Sequence, residues 1–285
     1  MAFPALVENV NFLKKEPPQV VKETPSLIYV DGRGNIGSLV VDFALKNLLE
    51  KIKTSGVVMV ALFNSTPVLR SGSIAKNLAE RGFLTLIFEN GGKEMTAPPG
   101  GIDPILATNP IGIGIPTAKD PIVIDMATSK RAWGEVRLAK RFRHKLPPET
   151  YLDKNGNFTL DPDKAYSVVP MADYKGFALA LAIEIMTGSL VNSLMGVRKN
   201  IPGTYQAARR GLIIIVVDPS CFTNINKFRK ENSKLIRMVK QSRKMKGTER
   251  ILIPGERARN NLKKNLKEGY LEIEETLYQK LLSFN

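Results

Sequence analysis

Over most of its length the chain alternates short apolar runs with stretches in which apolar residues recur every three or four positions. The first pattern is that of strands, the second that of helices with one apolar face. Residues 57–63 are continuously apolar and are expected to form a strand buried on both sides. Residues 37–53 set Val41, Leu45, Leu48 and Ile52 on one helical face. The same reading places strands at 26–30, 83–88, 211–217 and 250–253, and helices at 6–13, 74–81 and 175–186, with Gly82 ending the second of these. Residues 175–186 are apolar nearly all round, which predicts a buried helix. Residues 90–104 read as a Gly/Pro-rich loop, and 143–170 lack apolar periodicity. A basic helical stretch and two closing helices finish the chain. Strands alternating with helices predict a layered α/β protein, with no internal repeat.

Two further short strands are expected at 107–111 and from Pro121 onward, the second running into a helix over 129–141. Asp125, Met126, Ala127, Thr128 and Ser129 would then carry the chain from strand to helix, with both hydroxyls in the first turn. Such a turn offers free N–H groups and a partial positive charge to an anion. The alternative is an ordinary N-cap with no ligand. Lys175 and Gly176 follow Asp173 and Tyr174 at the start of the apolar helix. A lysine there meets the wrong end of the dipole, and an anionic ligand would neutralise it; the alternative is pairing with Asp173. Pro254, Gly255 and Glu256 form a third helix start. Gly32, Gly34 and Gly37 supply G-x-G-x-x-G between strand and helix. The next strand ends in Asn64 and Ser65 rather than an acidic residue, so a tight turn is the better reading of that motif.

Composition narrows the function classes. The 285 residues suffice for one large or two smaller domains, and 43% hydrophobic with 24% charged residues is ordinary for a globular protein. No apolar run approaches the ~20 residues of a bilayer span, and no signal peptide is apparent, so no membrane partner is expected. A lone Cys221 fits a reducing cytoplasm, and a lone His144 argues against a histidine metal site. The net charge of +15 favours anionic partners. Lysines and arginines crowd residues 227–267, but without interleaved aromatics. A solvated helical face is the better reading there, and nucleic acid is not the expected partner.

Several pieces in one order resemble the malate/L-lactate dehydrogenase family of non-Rossmann nicotinamide enzymes. They are Asp31-Gly32, Asn64-Ser65, Pro98 to Gly101, Thr108 to Pro110, Asp125 to Ser129, Ala132 to Gly134, Asp153 to Gly156, Lys175-Gly176 and Pro254 to Glu256. The resemblance implies a mixed β-sheet with flanking helices, similar to L-sulfolactate dehydrogenase. It implies an NAD- or NADP-dependent oxidoreductase acting on a small anionic 2-hydroxy or 2-oxo acid, and a homodimer. By the same resemblance, Asp125, Met126, Ala127, Thr128, Ser129, Lys175, Gly176, Pro254, Gly255 and Glu256 line the cofactor site, and Thr108 and Asn109 lie near the substrate. Residues 1–60 with 256–285 would form a partial helical, dimerising part, and 61–255 the cofactor-binding part.

The resemblance also has gaps. Family members carry Ser-His-Gly shortly before the Phe-Pro that Phe3-Pro4 resembles, and this chain starts at Met1. The family's N-terminal helices and its proton-passing histidine are therefore expected to be missing here. A second family histidine follows Asn-Ser-x, where this chain has Pro67; Ala107 replaces a usual glycine. The catalytic residue is thus unassigned, and slow or absent turnover is expected. The other readings are a cofactor-binding or dimer-partner paralogue without activity and a basic nucleic-acid-binding protein. Relatives act on malate, lactate, sulfolactate, ureidoglycolate, diketogulonate and cyclic imino acids, and the residues do not choose among them. Lys93 beside two glycines is a candidate for the ribose phosphate that separates NADP from NAD.

Overall fold

A computed structural model describes residues 16–283 apart from 69, 92, 197–209 and 271. The helix expected at 6–13 lies outside the described residues. Seven strands form one mixed sheet in the order β1-β2-β3-β9-β4-β5-β6. They are β1 (Gln19–Thr24), β2 (Leu27–Asn35), β3 (Val57–Ser65), β4 (Leu84–Glu89), β5 (Ile111–Ile115), β6 (Ile122–Met126) and β9 (Arg210–Val217). Only β2 and β3 pair in parallel; every other neighbour in the sheet is antiparallel. A two-stranded ribbon, β7 (Tyr151–Leu152) with β8 (Ser167–Val168), lies within the segment whose sequence lacked periodicity.

Helices cover both faces. On one, α1 (Gly37–Ser55) and α2 (Ser71–Glu80) pack Val40, Val41, Ala44, Leu48, Ile52, Ala75 and Leu78 onto Ile28, Val30, Val58, Val60, Leu62, Ile87 and Ile214. On the other, Ala61 and Ile213 meet Val191 and Met186, the latter from α4 (Tyr174–Thr187). β3 is therefore covered on both sides, as its unbroken apolar run predicts. A separate small core of Val136, Ala139, Leu146, Tyr151 and Val168 joins α3 (Gly134–Phe142) to the β7–β8 ribbon. Helices α5 (Ile225–Lys240), α6 (Glu256–Glu268) and α7 (Glu275–Leu282) follow.

Three expectations are corrected. No helix begins at Ser129; α3 starts at Gly134, because residues 127–133 are drawn into tertiary hydrogen bonds described below. Residues 250–253 are not a strand: Pro254 approaches the edge of β6, and no ladder forms. α4 is not buried all round, since Leu179, Leu181 and Ile185 are 42–50% exposed and only Gly176, Ala180, Ile183, Glu184 and Thr187 are buried. The window Tyr174–Val191 has the mean hydropathy of a membrane span. Its helix nevertheless ends at Thr187, and 14 residues reach only ~21 Å against a ~30 Å hydrocarbon layer. The glycine-rich run does make the expected turn: Arg33 and Gly34 take φ +50° and +77°, and the pairing of β2 with β3 shifts register between Asp31 and Asn35. β2 continues through it to Asn35, and the first amide of α1, Gly37 N, donates to Thr66 Oγ1 at 2.9 Å. A Cβ on Gly37 would lie 2.2 Å from Thr66 O. The glycine is required by the close approach of Thr66 and Pro67, just beyond β3, and that amide is already occupied by the protein.

Truncating a sheet-facing side chain should cost far more than truncating a solvent-facing one on the same helix. Leu48→Ala in α1 is expected to lower unfolding free energy by ~2–5 kcal/mol, and Leu39→Ala, at 59% exposure, by less than ~0.5 kcal/mol. Urea denaturation of the two variants checks this.

Candidate cofactor and substrate site along strand β6

β6 forms one edge of the sheet, and the sequence-predicted site residues gather along it and its continuation. Thr128 is fully buried just beyond the strand. Its N–H donates to Thr108 O at 2.9 Å, and its hydroxyl to Thr108 O and Asn109 O at 3.0 and 3.1 Å. Thr128 O in turn accepts from Met171 N at 2.9 Å, and Ser129 bridges to Pro170. Gly176, in the first turn of α4, packs on the same peptide: a Cβ there would lie 2.1 Å from Met171 O and 2.8 Å from Thr128 O. The segments 108–109, 125–129 and 175–176 are therefore in direct contact.

No helical turn forms at Thr128 and Ser129 to offer its free N–H groups to an anion, and the two hydroxyls are turned inward. Both donate to carbonyls, Ser129 Oγ to Arg131 O at 2.9 Å, and their work is to fold the loop. Lys175 behaves otherwise. It is exposed rather than part-buried, it makes no ion pair with Asp173 or any other described residue, and its Nζ stands 6.0 Å from the ring of Tyr174. A cation without a counter-ion at a helix N-terminus is disfavoured by the dipole and available to an anion.

The third segment meets β6 at its other end. Val123 N donates to Pro254 O at 3.3 Å, and Gly255 takes φ +86° with Val123 Cβ 3.0 Å from where its own Cβ would be. At ~3.3 Å per residue, Val123 and Thr128 are ~16 Å apart along an extended chain. The Pro254 segment thus sits one strand-length from the Thr128–Gly176 cluster. Glu256 opens α6, but its carboxylate is engaged. It accepts from Lys240 Nζ at 2.8 Å and from Ile253 N at 3.1 Å, and these bonds hold it below the usual carboxylate range. Between α2 and α6 lies a cleft of about 780 Å³, floored by Pro121, Val123 and Asp125 and walled in part by Pro254 and Gly255. Met126, Ala127, Thr128, Ser129, Lys175, Gly176 and Glu256 do not line it, nor does Lys93, which is exposed elsewhere. His144 is exposed at the end of α3, beside Phe142, and reaches none of these segments.

The structure adds a buried polar group that periodicity does not reveal. Asn109 is fully buried; its amide donates to Ala180 O at 2.9 Å and to Glu184 Oε2 at 2.7 Å, fixing the 108–110 segment to α4. Glu184, also buried, accepts from Asn90 Nδ2 at 3.2 Å and from Gly196 N at 2.8 Å. Next to Asn90, Glu89 ends β4 with only 3% exposure. Its backbone N donates to Pro110 O, and its Oε1 accepts from Val68 N at 2.7 Å. Burial pushes its carboxyl up to about 7; the Val68 hydrogen bond and Arg210 act against this, and Asp125 adds to it. A signal was present: a glutamate closing an alternating apolar strand is out of pattern.

Two variants test these assignments. Gly176→Ala should cost ~1–3 kcal/mol by overpacking against backbone oxygens, read by urea unfolding. Glu89 binds its proton more tightly folded than unfolded. Its contribution to stability is therefore fully present below about pH 4.5 and is lost as pH rises through about 7, by on the order of 3 kcal/mol, before levelling off. Glu89→Gln should remove that component, so the wild-type loss of stability between about pH 5 and pH 7.5 shrinks in the variant.

Residues 4–282 match the malate/L-lactate dehydrogenase family. The malate/(S)-sulfolactate dehydrogenase of Methanothermus fervidus is 34% identical over 268 residues, 92% of this chain and 76% of that protein. The (2R)-3-sulfolactate dehydrogenase (NADP(+)) of Chromohalobacter salexigens is 33% identical over 209 residues, 72% of this chain and 62% of that protein. Among solved structures, the sulfolactate dehydrogenase of Methanocaldococcus jannaschii superposes with a TM-score of 0.88 at 29% identity, over 99% of this chain and 82% of that one. The mixed sheet with flanking helices, the order of the motifs and these matches agree: the chain belongs to the malate/L-lactate dehydrogenase family.

Proposed function

We propose that this protein is an NAD(P)-dependent oxidoreductase that interconverts a small 2-hydroxy acid and its 2-oxo acid, malate or sulfolactate being the nearest in kind. One observation carries the reading. Lys175, a cation with no counter-ion among the described residues, stands beside Gly176, which packs on Thr128, and Thr128 is bonded to Thr108 and Asn109. The groups on this chain suit a dinucleotide. Gly255 makes a backbone cradle in the left-handed region that a Cβ would fill, and the cleft volume lies within the range of ~300–1,000 Å³ usual for ligand pockets.

The bound nicotinamide would supply the hydride chemistry. The chain's own residues bind and orient. Lys175 takes a phosphate or the substrate carboxylate, and the Pro254–Gly255 backbone takes the far part of the nucleotide. The 108–110 segment, pinned by Asn109 to α4, presents Thr108 at the reacting end. Orientation alone can supply ~7–11 kcal/mol of a barrier. A positioned acid adds typically ~10²–10⁴-fold. Pro67, at the position where family members have their second histidine, packs by Gly37 and has no proton to give. That mid-chain proline favours a second reading, a cofactor-binding paralogue with slow turnover or none. We carry forward cytoplasmic location and a homodimer in which 1–60 and 256–285 contribute the dimerising part.

Calorimetric titration with NADH and NADPH, beside turnover of pyruvate, oxaloacetate and sulfopyruvate, tests the readings. At least one nucleotide should bind, and Lys175→Ala should weaken it roughly tenfold or more. Slow turnover supports the second reading; brisk turnover removes it. Failure of both nucleotides to bind removes both. Light scattering should give twice the chain mass of 31.5 kDa, and a monomer would overturn the dimer.

A further inference from the structure

The cleft between α2 and α6 holds four cationic side chains, and they are not equivalent. Lys76 pairs with Glu80 at 2.7 Å and Arg259 with Asp120 at 3.2 Å, so each is neutralised within the wall that carries it. Arg70, at the start of α2, and Arg257, in the first turn of α6, also line the cleft, and both are exposed. Neither guanidinium forms an ion pair or a side-chain hydrogen bond with any described residue. The carboxylate facing them on the floor is Asp125, which likewise has no cationic partner at ion-pair distance. The arginines outnumber it, and they come from two walls. The uncharged lining is mostly apolar or small, with Leu252, Ile253, Leu262 and Val123 beside Gly72 and Gly255, and adds the polar Ser73 and Asn77 from α2. A cleft with an apolar stretch at Leu252, Ile253 and Leu262 and guanidinium groups entering from two walls matches a nucleotide, whose base is flat and apolar and whose phosphates are multiply charged. Guanidinium is the side chain best shaped to bind phosphate through two parallel hydrogen bonds.

We propose that Arg70 and Arg257 together clamp a phosphate group of the dinucleotide in this cleft. The inference rests on the cofactor-binding reading above and adds to it the residues that hold the phosphate. That phosphate has two sources: the diphosphate common to NADH and NADPH, or the 2′-phosphate of NADPH alone.

The test is fluorescence titration of the full-length protein with NADH and with NADPH, for the wild type, Arg70→Gln, Arg257→Gln and the double variant. Circular dichroism checks that each is folded, and Arg70→Lys with Arg257→Lys measures how far charge alone restores binding. The double variant should lose roughly tenfold or more in affinity, with lysine recovering part of the loss. Equal loss for both nucleotides assigns the arginines to the diphosphate; loss for NADPH alone assigns them to the 2′-phosphate. Unchanged affinities in a folded double variant that still binds nucleotide overturn the clamp and leave the cofactor reading intact. A wild type that binds neither nucleotide overturns the reading and the clamp with it.

Discussion

The candidate site depends on one buried peptide. Thr128 contributes its N–H and its hydroxyl to the carbonyls of Thr108 and Asn109, and its own carbonyl to Met171 N. These bonds tie three stretches far apart in sequence into one unit. In a buried setting, breaking any of them would strand a polar group, at ~1–3 kcal/mol each. Gly176 follows from the same constraint, because nothing larger fits over that peptide. So does the late start of α3, since the residues that would have formed its first turn are held elsewhere.

A second layer of buried polar groups supports the first. Asn109 reaches Ala180 and Glu184, and Glu184 reaches Asn90 and Gly196, so α4 is bolted to the 108–110 segment by hydrogen bonds as well as by apolar packing. Such networks specify a geometry when every member is satisfied. They account for a glutamate in the middle of an otherwise apolar helix. One face of α4 serves the sheet and this network; the other leaves Leu181 and Ile185 open.

Much of the fold is legible in the sequence because its determinants are local. The unbroken apolar run of β3, the four-residue spacing in α1 and the stop at Gly82 each answer to a period or to a residue's conformational freedom. The family motifs likewise mark the segments that meet along β6. What was not legible depends on partners distant in the chain. The hydroxyls of Thr128 and Ser129 look like helix caps until Thr108 is brought beside them. Residues 250–253 have strand composition, but the chain there approaches β6 only at Pro254, so no ladder propagates. The apolar character of 175–186 suggests full burial, yet only one face has a sheet to meet. Glu89 and Glu184 read as surface charge by residue type alone; their burial is a property of the assembled sheet end.

The position of Pro254 has a consequence for the behaviour of the protein in concentrated solution. β6 is an outer strand, and an outer strand offers unpaired amides and carbonyls to any other chain with a matching ladder. Here Val123 N is already taken by Pro254 O, and Gly255 lies flat against Val123, so the turn that walls the cleft also caps the open side of the sheet. At the opposite margin, β1 carries Lys22 and Glu23 and a break in its pairing register between Val20 and Lys22. Both rims of the sheet are thus guarded against self-templated growth, one by charge and irregularity, the other by a turn that also walls the cleft. Loosening that turn would therefore open a wall of the cleft and uncover a sticky rim in the same event.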